Sequence, residues 1–158
     1  MLRALTIRQP WSHAILHLGK DVENRSWRTH YRGLLLIHAA ARSERNPGEM
    51  LAEYLNRPPS EQSLRDLPLA CIVGVVYLSD CVRDSRSKWA HEGAWHWLLR
   101  NARAIEPVDC VGRLGLWTPS PSVMKNLPKW VREAGETPLE RSRNRECRST
   151  PPAQEHTR

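Results

Sequence analysis

The sequence predicts an α+β fold, a small mixed β-barrel with short helices on its flanks. Three observations carry that reading. Two apolar runs, LLLIHAA at 34–40 and CIVGVVYL at 71–78, have the length of buried strands and fall far short of a bilayer span. One helical stripe is clear: Trp11, Ala14, Ile15 and Leu18 fall at i, i+3, i+4 and i+7. The strand-like runs are separated by unequal insertions, not by the regular helical crossovers of a doubly wound parallel sheet. The 158 residues suffice for one domain with a real core and are few for two.

Each element has its own signal. Residues 4–8 read as a first strand. Residues 10–18 read as the helix, with Pro10 at the first helical position and Gly19 as a left-handed cap. That helix is expected to pack Trp11 and Ile15 against the barrel. Residues 20–27 read as extended and lead into a turn, and 34–40 form a central strand. Within 43–57, NPGEMLAEYL predicts a second short helix begun near Pro47, stopped by Pro58 and Pro59. Residues 60–66 suggest a further helical turn. The long strand 71–82 contains Gly74, which marks a bulge or a sharp bend. Residues 84–92 are polar and loop-like. In 94–105, Trp95 and Trp97 alternate with His96, which fits a strand. A short strand at 114–118 and a final helical turn at 121–126 complete the domain. From Pro138 onward there is one leucine, no aromatic residue and five arginines, with two adjacent prolines. Such a segment cannot bury enough apolar surface to offset its ordering entropy. The expected division is a domain over 1–135 and a disordered basic tail over 136–158.

Composition narrows the partners. The formal net charge is +7 and the sequence pI is about 9.7. A basic balance favours polyanions, nucleic acid above all, although arginine can also serve only solubility. Four cysteines, Cys71, Cys81, Cys110 and Cys147, lack the spacing of a zinc site or a disulfide framework. The start, MLRALTIRQPW, has no long apolar core or cleavage pattern. A reduced, soluble, cytoplasmic protein is expected, with no membrane association, no cofactor and no metal. Seven tryptophans and no phenylalanine are unusual. Most must be core, with Trp11 and Trp117 the leading core members, but indoles also offer faces on which bases stack.

The candidate site is the polar stretch KDVENRSWRTHYR, held between the helix and the buried strand. Lys20 and Glu23 lie three apart. Either they form a surface ion pair of little worth, or Lys20 holds a phosphate or carbonyl while Glu23 accepts from a base edge or orders Arg25. Arg25, Arg28 and Arg32 interleave with Trp27 and Tyr31, as a reader of single strands or flipped bases requires. Ser26 and Asn24 suit a turn, and Ser26 lacks the adjacent His–Asp pair of a hydrolase nucleophile. His38, inside the apolar strand, is either a satisfied core histidine or an acid–base group facing the cleft. His13 and His17 are i, i+4 on the helix, without an evident third metal ligand. Lys20 is expected to be exposed, so that its removal would weaken binding and leave stability nearly unchanged.

The motifs QPW, GKDVENRSW and YRGLLLIHA, in that order, resemble the ASCH domain family (activating signal cointegrator homology), one of the PUA-like small β-barrels. The resemblance continues through 71–78, AWHWLL and GRLGLW. Of the family's Gly-x-Lys-x-x-Glu pattern, Lys20 and Glu23 match, while Leu18 occupies the glycine position and Gly19 follows one later. The resemblance implies that Lys20 and Glu23 line a cleft, and that the domain binds RNA or DNA. Contacts would come from Lys20, Glu23, Arg25, Ser26, Trp27, Arg28, Tyr31, Arg32 and His38. Some relatives are hydrolases acting on RNA or on acetylated cytidine. Lys20 matches the lysine of the latter, but Glu23 replaces the threonine nucleophile, and Asp80 is the nearest candidate for the later acid. The alternative partner is therefore a modified nucleoside that is turned over.

Overall fold

Alternation along one strand sets the architecture. In GLLLIHA, successive side chains point to opposite faces, and both faces are apolar, so both must be covered. Leu35, Ile37 and Ala39 pack into one core cluster and Leu36 into another. In the computed structural model, which describes residues 1–136, this strand lies near the middle of a six-stranded sheet. The elements are β1 (Arg3–Ile7), α1 (Trp11–His17), β2 (Val22–Arg25), β3 (Gly33–Ala39), α2 (Pro47–Ala52) and α3 (Glu61–Arg65). After them come β4 (Cys71–Val82), β5 (Trp95–Asp109), β6 (Leu116–Trp117), α4 (Pro121–Asn126) and α5 (Lys129–Glu136). The strand order is β2-β5-β4-β3-β1-β6. β1 and β3 run parallel, and the other pairings are antiparallel. The sheet curls into a half-barrel with short helices around it, the α+β class that the sequence predicts.

The curl needs a bend, and Gly74 supplies it. The β4–β5 register shifts between Ile72 and Gly74, and the β3–β4 register shifts opposite, between Ile37 and His38. Side-chain parity flips there as a bulge requires: Cys71 and Val73 face the inner core, then Val76 and Leu78 do. A Cβ on Gly74 would lie 2.5 Å from Leu16 and 2.8 Å from the Arg103 carbonyl. The inner face is closed by α1 through Ile15. The outer face is covered by Leu127 and Val131, from the α4–α5 region, packed on Leu2, Leu36, Val75 and Trp117. A third cluster joins Ala14 and Val22 to Leu51 of α2, Leu64 of α3 and Trp89.

The QPW motif is now a structural one. Gln9 is fully buried; its Oε1 accepts from the His13 N–H at 3.0 Å, capping α1, and its Nε2 donates to the Pro68 carbonyl at 3.1 Å. Pro10 stands one residue before the helix, at the cap, not at its first turn. Gly19, at φ +74°, is the left-handed residue the sequence leads one to expect after α1. Trp11 is half-buried, edge-on to Tyr54 with ring centroids 5.9 Å apart. β5 runs four residues beyond its predicted end, and α5 was not foreseen from the sequence. Apart from Glu136, the segment expected to be a tail lies outside the described residues.

Candidate functional site

Curling brings the two edges of the sheet toward each other, and a charged chain spans the seam. Glu23 sits on β2, opposite Trp97 in the β2–β5 ladder, and so faces inward. One of its oxygens is 3.1 Å from the Lys20 Nζ and the other 3.1 Å from the Arg25 Nε. The Lys20 ammonium also donates to the Val22 carbonyl, and the Arg25 Nη2 donates to the Thr6 carbonyl of β1 at 2.9 Å. Lys20 is 5% exposed and Glu23 7%, so the expected exposed lysine is in fact a buried one. The reason is the Gly19 turn, which folds Lys20 back under α1; its backbone N–H bonds to the Ala14 carbonyl. In a buried pair each partner compensates the other's desolvation, which a surface pair never needs to do.

Beside this chain opens a cleft of about 660 Å³. Thr6 and Ile7 of β1, Trp11, Glu23, Asn24, Arg25 and His38 line it, and the loop 111–115 forms one wall. Of the expected site residues, Glu23, Arg25 and His38 meet here. Lys20 stands behind Glu23, with its ammonium 6.0 Å from the Trp11 ring. His38 Nε2 is 3.0 Å from the Cys110 carbonyl, an acceptor only, so Nε2 carries the proton. Burial holds the His38 pKa below its ordinary 6.5, with the Cys110 contact opposing. Its Nδ1 has no partner among the described residues.

The remaining predicted residues lie elsewhere. Arg32 pairs with Asp80 at 2.7 Å, and the Cys81 N–H together with Arg32 holds the Asp80 carboxyl below its ordinary pKa. Tyr31 donates its hydroxyl to the Leu34 carbonyl at 2.5 Å, and its ring packs on the inner core. Trp27 stands edge-on to Trp97, with centroids 4.6 Å apart, and Ser26 is exposed in the β2–β3 connection. Arg28 does join a cationic–aromatic cluster, one not visible in its own segment. Its guanidinium is 5.5 Å from the Trp95 ring, and that of Arg83 is 4.6 Å from it. Trp95 lies opposite Arg25 in the ladder, so this cluster continues from the cleft mouth on the same face of the sheet.

Sequence reasoning missed the wall. Loop 111–115 is remote in sequence, and its signal, VGRLG, is only a glycine-flanked turn. It also missed a second hollow of about 550 Å³ beside the cleft, where Arg42 and Arg45 have no ion pair among the described residues. The Arg8–Glu44 contact, 3.6 Å, separates the two. Among the described residues no group of three His, Cys, Asp or Glu is placed to hold a metal ion, and no helix is long and apolar enough to cross a membrane. Burial pushes the pKa of the Cys71 and Cys110 thiols up, which favours the protonated form.

Comparison with known proteins covers the same ground. Activating signal cointegrator 1 of Homo sapiens is 37% identical over 87 residues, which is 53% of this chain and 15% of that protein. The Mus musculus protein of the same name is 37% identical over 81 residues, 49% of this chain and 14% of its own length. The chain thus spans only about a seventh of the length of these curated relatives. The model of the ASCH domain matches residues 5–109, from within β1 to the end of β5, so that β2 to β5, α1 and the Lys20–Glu23–Arg25 charge chain fall inside it and β6 lies beyond it; the chain belongs to the ASCH domain family.

Proposed function

We propose that this chain is a nucleic-acid-binding module that holds phosphates on arginines around the seam and admits base edges to the cleft. The carrying observation is the pairing of a cleft floored by Glu23 and Arg25 with cations that lack acidic partners among the described residues. Those cations are Arg113 on its wall, Arg42 and Arg45 in the adjoining hollow, which Glu44, Glu49 and Glu53 also line, and Arg83 at Trp95; Arg28, on the same ring, acts on the Asp80 carboxylate. Free guanidinium groups beside an indole suit a phosphate with a stacked base. The names of the relatives speak of a cointegrator and agree with a nucleic-acid setting without specifying a ligand.

A hydrolytic reading finds less support. The Thr6 hydroxyl, which lines the cleft with His38, already donates to the Arg113 carbonyl at 3.0 Å and accepts from the Trp117 indole at 3.1 Å. Asp80, the candidate acid, is engaged by Arg32 away from the cleft. The test is a titration of single- and double-stranded DNA and RNA between about 50 and 200 mM salt, with modified nucleosides scored for turnover. Affinity is expected to fall steeply with salt. Arg42→Ala, Arg45→Ala and Arg113→Ala should each lower the log–log slope by about one. Salt-independent binding, or turnover without polymer binding, overturns the reading.

A further inference from the structure

We propose that loop 111–115 is a wedge: Leu114 enters the stack of a duplex and fills the place of a base drawn into the cleft. This rests on the nucleic-acid reading above and adds to it the form of the ligand. The loop lies just beyond the family-matched residues.

Leu114 is 99% exposed and Val111 85%, whereas the other exposed large apolar residues among the described ones, beyond Met1, are Leu69 at 40% and Trp27 at 36%. Exposure of this kind on a floppy segment would mean little. This segment is fastened on both sides of Val111 and next to Leu114. The Cys110 carbonyl accepts from His38 Nε2, and the Arg113 carbonyl accepts from the Thr6 hydroxyl, which the Trp117 indole fixes in turn. Between them Gly112 lies directly on the His38 ring, where a Cβ would come within 2.5 Å. Gly115, at φ +65°, turns the chain away. The fold therefore holds an apolar side chain out in water, on a backbone fastened by hydrogen bonds, at the lip of the cleft.

The neighbours say what it meets. Arg113 adjoins it, and Arg42 and Arg45 lie in the next hollow beside Glu44, Glu49 and Glu53; the anionic partner is the nucleic acid of the reading above. An anionic partner with apolar slots is a base stack, which aliphatic wedges enter by unstacking one step. The base so released needs a receptacle. The adjacent cleft, about 660 Å³, lies within the ordinary range for a site enclosing a small ligand, and the Glu23 carboxylate on its floor can accept from a base N–H.

The experiment uses the full chain and duplexes carrying one 2-aminopurine opposite a mismatched base, where unpairing costs least. Its fluorescence rises on unstacking. Parent protein should raise it. Leu114→Ala should abolish most of the rise and weaken duplex binding about tenfold, with single-strand binding changed about twofold or less. Leu114→Met should restore both. Leu114→Ala should melt with the parent, since the side chain packs on nothing. Duplex binding without a fluorescence rise, or a Leu114→Ala variant equal to the parent on duplex, overturns the wedge alone. Absence of binding to any nucleic acid overturns the wedge and the proposed function together.

Discussion

Removing the Lys20 side chain strands a carboxylate. Glu23 would keep only Arg25 as a cationic neighbour, in surroundings nearly closed to water, and the Val22 carbonyl would lose its donor. Lys20→Ala is therefore expected to destabilise the fold by about 3–5 kcal/mol, as broken buried ion pairs do, measured by urea denaturation. The sequence alone points the opposite way. It displays the two charges and their spacing, but burial depends on a helix cap and a sheet curl that bring remote segments over them. His38 carries a second prediction. Its folded pKa lies below the 6.5 of the unfolded chain. Below 6.5 the unfolded chain takes up a proton that the folded chain resists, so stability should fall as pH drops from 7.5 toward 5. His38→Gln should flatten that slope. Some slope should remain, because burial and then His17 lower the pKa of His13 in the same direction.

At the scale of the element, glycines decide where strands bend and where loops settle. Gly74→Ala places a methyl against the Arg103 carbonyl, a backbone atom that cannot turn aside. A loss of about 1–3 kcal/mol is expected in denaturation, as for other overpacked sites. That element was legible: a run such as CIVGVVYL, apolar but for one glycine, admits few other readings. Gly112→Ala should act differently. Its methyl meets the His38 ring and the Thr6 hydroxyl, so it should lift the loop and alter ligand binding more than the melting temperature. Nothing in VGRLG announces this, because the surface it lies on comes from β1 and β3. Helix α5 escaped notice for a related reason. In KWVREAGE, Trp130, Val131 and Ala134 do fall on one helical face, but the stripe is only about one turn long. Its support is tertiary: Val131 is fully buried in the outer cluster, and Arg103 of β5 lies 4.0 Å from the Trp130 ring.

For the whole molecule, the division of the chain is itself a proposal. The three core clusters draw on residues from Leu2 to Val131. Both sheet faces are covered, the inner one by α1 and the outer one by the α4–α5 region. A chain ended after Glu136 should then unfold at the same temperature as the full chain, because among the described residues all three clusters are built from residues before it. Binding is a separate matter. The removed segment carries five arginines against three glutamates, so it supplies two of the seven net positive charges of the whole. If it only accompanies the domain, truncation should lower the salt slope by less than the loss of Arg42, Arg45 and Arg113 together, and should leave discrimination between duplex and single strand unchanged. That comparison separates two sources of basic charge. Guanidinium groups held around a cleft select the shape of the polyanion, whereas charge spread along a segment only raises affinity for all of them. A shortened chain that melts early, or that loses the discrimination, would place part of the domain beyond Glu136.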